Sequence, residues 1–243
     1  MSNRTAIITG AAQRIGAAIT QELHQAGMDV IIHYRQSATA AHALAQSLNT
    51  QRPGSAHAIE ADLSSNSSCQ ALIDRAWTIN KRIDVLVNNA AVFYPTPFME
   101  LDDTAWDEVM NVNLRAPLFL SRAAAAYLTQ VSGCIINLAD IHAERPLKNH
   151  TLYSISKAGL IMLTKSLAKE MGPAVRVNAV SPGAILWPEN LGEETRKKIL
   201  ARTTLKRAGM VEDISRAVRY LAEDANYTTG QVLVIDGGRT LYS

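Results

Sequence analysis

Short apolar runs alternate with longer amphipathic stretches along the whole chain, and this alternation restricts the fold more than any other feature. The apolar runs span residues 5–9, 29–34, 55–61, 83–89, 133–139, 175–181 and 231–237. The amphipathic stretches between them span residues 14–26, 37–49, 66–80, 104–129, 152–171 and 212–222. Continuously apolar strands are typical of parallel sheets covered on both faces. The sequence predicts one α/β domain over residues 1–243, a doubly wound parallel sheet with helices on both faces and its ligand beyond the carboxyl ends of the strands.

Composition excludes several kinds of partner. The formal net charge is only +2, and the longest basic run is the triplet 196–198, which we interpret as a solvated helix face. We therefore expect neither a nucleic-acid nor a membrane partner. Cys69 and Cys134 lack metal-ligand spacing and a disulfide framework, so we expect reduced thiols and no metal. The first residues contain no apolar stretch of signal-peptide length, which favours a cytoplasmic location.

The stretch TGAAQRIG at residues 9–16 follows the first predicted strand and opens the first predicted helix. Gly10 permits a tight turn, and the free N–H groups at a helix start favour a pyrophosphate. The pattern lacks the full G-x-G-x-x-G fingerprint, since Arg14 stands where a related pattern has another glycine. Arg14 is either a solvated arginine or a bidentate donor that reaches the diphosphate or the substrate.

The end of the second predicted strand indicates which dinucleotide binds. An NAD site expects an acidic residue about 20 residues beyond the glycines, to hold the ribose hydroxyls. No Asp or Glu occurs between Val30 and Ile59, and HYRQSA instead places Arg35 and Ser37 at this strand end. An arginine, a hydroxyl and a helix start suit a 2′-phosphate, so NADP(H) is favoured over NAD(H). The alternative is a helix N-cap beside a surface arginine.

Three later strand ends carry further polar groups. Asp62-Leu63 follows the third strand and would suit an adenine amino group, and NNAA at residues 88–91 brings backbone close to a dinucleotide. Asp140 follows the fifth strand, thirteen residues before Tyr153. A phenol titrates near pH ~10 unless a cation favours its anion, and Lys157, one helical turn beyond Tyr153, can supply that cation. The alternative is an exposed tyrosine and lysine on a surface helix.

Taken in order, these motifs resemble those of the short-chain dehydrogenase/reductases, a family of Rossmann-fold enzymes. The matching set is TGAAQRIG, DL at 62–63, NNAA, NVN with Asn113, Tyr153-x-x-x-Lys157, SPG at 181–183 and DGG at 236–238. The resemblance implies that Tyr153 donates a proton, that Lys157 holds the nicotinamide ribose and lowers the tyrosine pKa, and that Asn113 supports a proton-relay water. It also implies a cofactor-binding set of Gly10, Arg14, Ile15, Gly16, Tyr34, Arg35, Gln36, Ser37, Asp62, Leu63, Asn89, Ala90, Ala91, Tyr153, Lys157, Pro182 and Gly183.

Departures from the common family pattern resemble one branch, the NADPH-dependent pteridine reductases. They are Asp140 in place of a serine, Arg14 in the glycine turn, HYRQSA, and NNAAVFYPTPF at residues 88–98. The resemblance implies that Phe93 stacks on a pterin and that Asp140 pairs with Tyr153 in proton delivery. The alternatives are a capping role for Asp140 and a core or subunit-interface role for Phe93.

Some residues depart from this branch as well. Arg35 lies one residue earlier than the arginine of the branch, with Gln36 in its place, and Ala91 replaces a serine. In the loop at residues 184–194, Leu186 and Trp187 are expected to cover the substrate, although Trp187 would equally serve as a packing anchor.

The sequence thus predicts an NADPH-dependent reductase of oxidised or dihydro pterins, with dihydrofolate as a further candidate substrate. Two alternatives stay open: a generalist carbonyl reductase acting on 3-oxoacyl thioesters or sugar ketones, and an NADPH-sensing protein without turnover. The resemblance further implies a homotetramer formed through the helices at 104–129 and 152–171.

Overall fold

A computed structural model describes residues 3–187 and 191–242 of the chain. Seven parallel strands form one sheet in the order β3-β2-β1-β4-β5-β6-β7. The strands are β1 (Thr5–Ile8), β2 (Asp29–Tyr34), β3 (Ala56–Glu60), β4 (Val85–Asn88), β5 (Cys134–Leu138), β6 (Arg176–Pro182) and β7 (Val232–Ile235). The predicted fold class, a doubly wound parallel sheet, is confirmed.

Helices cover both faces of the sheet. They are α1 (Arg14–Gln25), α2 (Ala38–Gln51), α3 (Asn66–Asn80), α4 (Asp103–Met110), α5 (Ala116–Gln130), α6 (Thr151–Met171), α7 (Glu193–Ala201) and α8 (Val211–Glu223). The stretch predicted as one helix over 104–129 is interrupted by a π-helical turn at Asn111–Arg115. Helix α7 was not among the predicted helices. No helix within the described residues has the length and apolar character needed to cross a membrane.

Two apolar layers sandwich the sheet, which explains why its central strands are continuously apolar. One layer packs side chains of α1, α2 and α8 against the strands, and the other packs α3 and α5. All four residues of β1 are buried, as are all five of β5. Burial on both faces favours apolar residues along such strands, with Thr5 and Asn137 as buried polar exceptions.

The order of the strands reverses between β1 and β4, and this reversal determines where a ligand can bind. The chain moves outward from β1 to β3 on one side and from β4 to β7 on the other. The loops that follow β1 and β4 therefore diverge and leave a crevice between them. Gly10 follows β1 and Asn89 follows β4, so both predicted motifs lie at this crevice.

Candidate active site

The turn after β1 is held tightly against the end of β4. Gly10 has φ +60°, in the left-handed region that favours glycine, and a Cβ on it would lie 2.9 Å from Ala90 Cα. The Asn89 side chain donates to the carbonyl oxygens of Thr9 and Gly10, at 2.8 and 3.0 Å. The side-chain amide of Asn89 therefore binds the turn itself.

The start of α1 is suited to an anion. Gln13, at the N-cap position, makes no side-chain capping hydrogen bond, and the first turn contains no acidic residue. The unsatisfied N–H groups and the helix dipole there favour a phosphate. A Cβ on Gly16 would lie 2.3 Å from the Gly10 carbonyl oxygen, so only glycine lets the helix begin this close to the turn.

Arg14 adopts φ +55°, a conformation that costs a non-glycine residue roughly 1 kcal/mol. Its side chain is exposed and forms no hydrogen bond to any residue in the described part of the chain. A guanidinium held at the crevice by a strained backbone, without a structural partner, fits a ligand-binding role better than a packing role.

A cavity of about 530 Å³ extends from the α1 start along the ends of β2 and β3. Residues predicted to bind a cofactor line it, namely Gly10, Arg14, Ile15, Gly16, Tyr34, Arg35, Gln36, Ser37, Asp62, Leu63, Asn89, Ala90 and Ala91, and Phe93 lies at one end. Ser37 occupies the N-cap position of α2 but makes no side-chain capping hydrogen bond. Its hydroxyl group thus makes no hydrogen bond at the helix start and lines the cavity beside Arg35.

Asp140 and Tyr153 meet at the end of β5. The Tyr153 hydroxyl donates to Asp140 Oδ2 at 2.8 Å, while Asp140 Oδ1 accepts the backbone N–H of His142 at 2.8 Å. Asp140 therefore has both the capping contact and the contact with Tyr153 that the sequence left as alternatives. One carboxyl oxygen caps the short helix that follows, and the other accepts from the phenol.

The pKa of Tyr153 is raised well above its usual value, whereas the family resemblance led us to expect a lowered one. Burial is the largest cause, followed by the negative charge of Asp140 and its hydrogen bond to the phenol. Lys157 points elsewhere: its Nζ donates to the Leu138 carbonyl oxygen at 2.7 Å and lies 5.7 Å from the centre of the Tyr153 ring. Tyr153 is therefore a protonated hydrogen-bond donor at neutral pH.

Phe93 stands beside this pair. Its ring meets Tyr153 edge-to-face with 4.7 Å between ring centres, and it stacks on His150 at 4.7 Å with a 20° tilt. Phe93 remains 48% exposed. An open aromatic face next to the phenol can stack against a flat ring.

The Asn113 side chain is committed to protein contacts, and the support of a relay water by this residue stays a prediction. The residue is fully buried; its Oδ1 accepts the Val92 N–H at 2.8 Å, and its Nδ2 donates to the Val92 carbonyl and to Ser156 Oγ, at 3.0 and 3.1 Å. The amide group thus ties the loop after β4 to α6. The sequence pattern located Asn113 along the chain but did not indicate which way its side chain points.

The remaining predicted residues follow β6. Pro182 ends that strand, and the Gly183 N–H donates to the Ile235 carbonyl oxygen at 2.9 Å. Leu186 is 39% exposed, and the guanidinium of Arg196 lies 5.9 Å from the centre of the half-buried Trp187 ring. Residues 188–190 of this loop lie outside the described part of the chain.

The basic triplet at 196–198 is not uniformly solvated, contrary to our interpretation. Lys197 and Lys198 project into solvent and pair with glutamates one turn earlier, whereas Arg196 turns inward over Trp187. The two cysteines are buried and unpaired, and burial raises the pKa of each thiol to about 11. Among the described residues no three His, Cys, Asp or Glu side chains cluster closely enough to hold a metal ion.

Comparisons with known proteins agree with this geometry. The sequence model of the family described as enoyl-(acyl carrier protein) reductase matches residues 10–240. Pteridine reductase 1 of Leishmania tarentolae is 34% identical, over 97% of this chain and 96% of its own length. The 7alpha-hydroxysteroid dehydrogenase of Bacteroides fragilis is 38% identical (99% and 96%), and a 3-oxoacyl-[acyl-carrier-protein] reductase of Synechocystis is 35% identical (100% and 99%).

The chain belongs to the short-chain dehydrogenase/reductase family. It is accordingly an oxidoreductase of a family that uses nicotinamide dinucleotides. The names of these relatives indicate chemically different substrates, so family membership alone leaves the substrate of this enzyme open. Asp140 and Phe93 are therefore the candidate determinants of substrate specificity in this short-chain dehydrogenase/reductase.

Two site residues were missed by sequence reasoning, although both left a signal. His33 directly follows the apolar run Val30–Ile32 of β2, and it proves to be 2% exposed and to line the cavity. His150 lies three residues before Tyr153, directly ahead of α6, and covers one face of Phe93. A polar residue in a buried strand indicates a specific hydrogen-bonding role, and an aromatic residue at helical spacing from a candidate catalytic residue indicates a place beside the site.

Proposed function

We propose that this enzyme is an NADPH-dependent pteridine reductase, which reduces oxidised or dihydro pterins and accepts dihydrofolate as a further candidate. The observation that carries the proposal is the 2.8 Å hydrogen bond from the Tyr153 hydroxyl to the Asp140 carboxylate. A ketone reductase needs a neutral donor to a carbonyl oxygen at this place, and a carboxylate would repel that oxygen. A pterin instead presents N–H donors along its 2-amino-4-oxo edge, which a carboxylate accepts.

Proton delivery follows from the protonation state of the pair. When bound, a reduced nicotinamide supplies the hydride for a ring carbon of the substrate. The neighbouring ring nitrogen then needs a proton, and Tyr153 holds one at neutral pH, as a phenol does even before burial and Asp140 raise its pKa. Lys157 lies on the same face of α6, with its Nζ 5.7 Å from the centre of the Tyr153 ring, and is a cation that can stabilise the phenolate that forms.

Substrate orientation falls to Phe93 and Arg14. The half-exposed ring of Phe93 offers a stacking surface beside the phenol, so a flat heterocycle stacked there presents its edge to Tyr153 and Asp140. The exposed guanidinium of Arg14 can hydrogen-bond the ring or the diphosphate. Stacking fixes the reacting atoms relative to one another, which lowers the entropic part of the barrier.

The preference for NADPH rests on the end of β2. Arg35, Gln36 and the uncommitted hydroxyl of Ser37 line the cavity there, and no acidic residue follows β2 to hold free ribose hydroxyls. A cationic and hydroxyl-bearing surface at a helix start attracts a 2′-phosphate. The similarity to the pteridine reductase of Leishmania tarentolae supports the same proposal.

A generalist carbonyl reductase is the second candidate, because the 3-oxoacyl thioester reductase and the hydroxysteroid dehydrogenase are equally similar over the whole chain. It predicts activity on ketones and tolerance of a serine at position 140. An assay that offers biopterin, dihydrobiopterin, dihydrofolate and a β-ketoester, each with NADPH and with NADH, separates the two candidates.

We expect the wild-type enzyme to consume NADPH with pterins and not with the β-ketoester. Asp140→Ser should lower kcat/KM for dihydrobiopterin by about 100-fold or more, since positioned proton transfer contributes on that order. Asp102→Ser is the matched control, because Asp102 also caps a helix, by accepting the Ala105 N–H, but lies at the exposed start of α4. Turnover of the β-ketoester together with no turnover of pterins would refute the proposed substrate class. Faster turnover with NADH than with NADPH would refute the proposed cofactor preference.

A further inference from the structure

His33 is buried at the carboxyl end of β2, where it touches the ends of two other strands. Its Nδ1 accepts the backbone N–H of Gly10 at 3.0 Å, and its Nε2 lies 3.0 Å from the carbonyl oxygen of Ala61, just beyond β3. The main-chain oxygen of His33 also accepts the Ala11 N–H, at 2.9 Å. This one residue thus joins the turn after β1 to the end of β3, with its side chain and its backbone both engaged.

These contacts require one form of the imidazole. Gly10 N–H can only donate and Ala61 C=O can only accept, so His33 must be neutral, with its proton on Nε2. Burial favours the same form, since it lowers the pKa of His33 to about 4. The ring therefore acts at neutral pH as a fixed spacer with one acceptor end and one donor end.

We propose that His33 is a positioning residue for the dinucleotide, which holds the Gly10 turn in its binding conformation before the cofactor arrives. The proposal depends on the nicotinamide cofactor of the family and not on the pterin substrate, so the two can fail separately. It also assigns the Gly10 N–H to His33 rather than to the diphosphate. The diphosphate is left with the uncapped N–H groups at the start of α1.

The control is supplied by a second buried histidine. His24 is 3% exposed, and its Nε2 lies 2.7 Å from Ser55 Oγ, at the opposite, amino-terminal edge of the sheet. His33→Phe and His24→Phe each replace a buried imidazole by an apolar ring and remove its hydrogen bonds, although the Ser55 hydroxyl keeps its bond to the Arg52 carbonyl oxygen. Both should lower the thermal midpoint, but only the former lies at the cofactor cavity.

Titration with NADPH, followed by the quenching of protein fluorescence, tests the proposal. His33→Phe should raise the Kd for NADPH roughly 10- to 100-fold, the change expected when a buried N–H loses its acceptor, and His24→Phe should leave the Kd within about twofold of wild type. Equal Kd values for the two variants at matched thermal midpoints would overturn the proposal.

Two smaller substitutions separate positioning from simple loss of packing. The amide oxygen of Asn can replace Nδ1 and accept the Gly10 N–H, whereas the amide nitrogen of Gln can replace Nε2 and donate to Ala61. His33→Asn should therefore bind NADPH nearly as well as wild type, and His33→Gln as poorly as His33→Phe. The reverse order would overturn the proposal. In wild-type protein, ¹⁵N spectra of the imidazole should show the proton on Nε2; a proton on Nδ1 would also overturn it, whether or not the variants fold.

Discussion

Lys157 shows how much a single buried charge costs this protein. Its side chain is 3% exposed and has one hydrogen bond, to the Leu138 carbonyl oxygen. Burial lowers its pKa to about 8, and the negative charge of Asp140 opposes that shift only in part. The ammonium group that a nicotinamide ribose would meet is therefore held at the expense of stability, as is common at functional sites.

The cost has a defined dependence on pH. An exposed lysine titrates near pH ~10.4, so between about pH 8 and that value the folded chain has released a proton that the unfolded chain still binds. Stability of the wild type relative to Lys157→Met should therefore rise with pH through this window, by up to about 3 kcal/mol. Below about pH 8 the full cost is present and the difference should be constant.

Urea unfolding of the cofactor-free protein between pH 6 and pH 10 measures this difference. The other titrating groups, including the two buried thiols with raised pKa values, affect both proteins alike and cancel in the subtraction. A difference in the free energy of unfolding that stays constant up to pH 10 would show that Lys157 titrates like an exposed lysine.

At the scale of elements, α6 is tied to β5 by a series of polar contacts that lead from the core to the active site. Asn88 Nδ2 donates to Asn137 Oδ1, and Asn137 Nδ2 donates to Thr164 Oγ1, both at 2.8 Å. Lys157 and Tyr153 continue the series further along the same two elements. These contacts fix the position of α6 along the strand, and with it the distance from the phenol to Asp140.

Thr164→Val tests the contribution of this network. The substitution keeps the shape of the side chain but leaves the buried Asn137 amide without its acceptor, so we expect a loss of about 1–3 kcal/mol in the free energy of unfolding. Thr78→Val is the control, because Thr78 Oγ1 bonds only to the Asp74 carbonyl on the exposed side of α3. That variant should change stability by about 0.5 kcal/mol or less. Equal losses in urea unfolding would show that the network adds nothing.

At the scale of the whole molecule, the exposed apolar side chains include two sets that lie on neighbouring elements. The first, which we call the α5–α6 surface, comprises Leu118, Ile155 and Met162, exposed by 39, 46 and 62%. The second, the α8–β7 surface, comprises Tyr220 and Val234, exposed by 48 and 42%. Patches of this kind mark subunit interfaces, and two different self-associating patches on one chain generate a tetramer.

We therefore expect a homotetramer that Met162→Glu converts to a dimer, because a charge buried without a partner opposes association through the α5–α6 surface. Light scattering coupled to size-exclusion chromatography measures the mass. Ile79→Glu is the control, since Ile79 is 41% exposed on α3, outside both surfaces. A wild-type monomer, or a Met162→Glu protein of unchanged mass, would contradict the prediction.

The pattern of residues in the sequence determined much of the fold, because these features depend on interactions between residues close together in the chain. The seven strands and most helices follow from apolar periodicity, and parallel order follows from strands that are apolar on both faces. The turn at Gly10 and the absence of an acid after β2 likewise depend on the identity of nearby residues. The break in the long helix at Asn111–Arg115 was missed because it does not interrupt the apolar period of that stretch. Helix α7 was missed because it does not extend a clear apolar period.

Only the tertiary structure decided how the site residues act, because desolvation and hydrogen bonding depend on segments far apart in the chain. It buried Tyr153 beside Asp140, and burial and that carboxyl group raise the tyrosine pKa, which the spacing to Lys157 alone had suggested would fall. It turned the Asn113 amide to Val92 and joined His33 to Gly10. The sequence by itself determined which groups reach the carboxyl edge of the sheet; their protonation states and partners depend on burial, which no local pattern encodes.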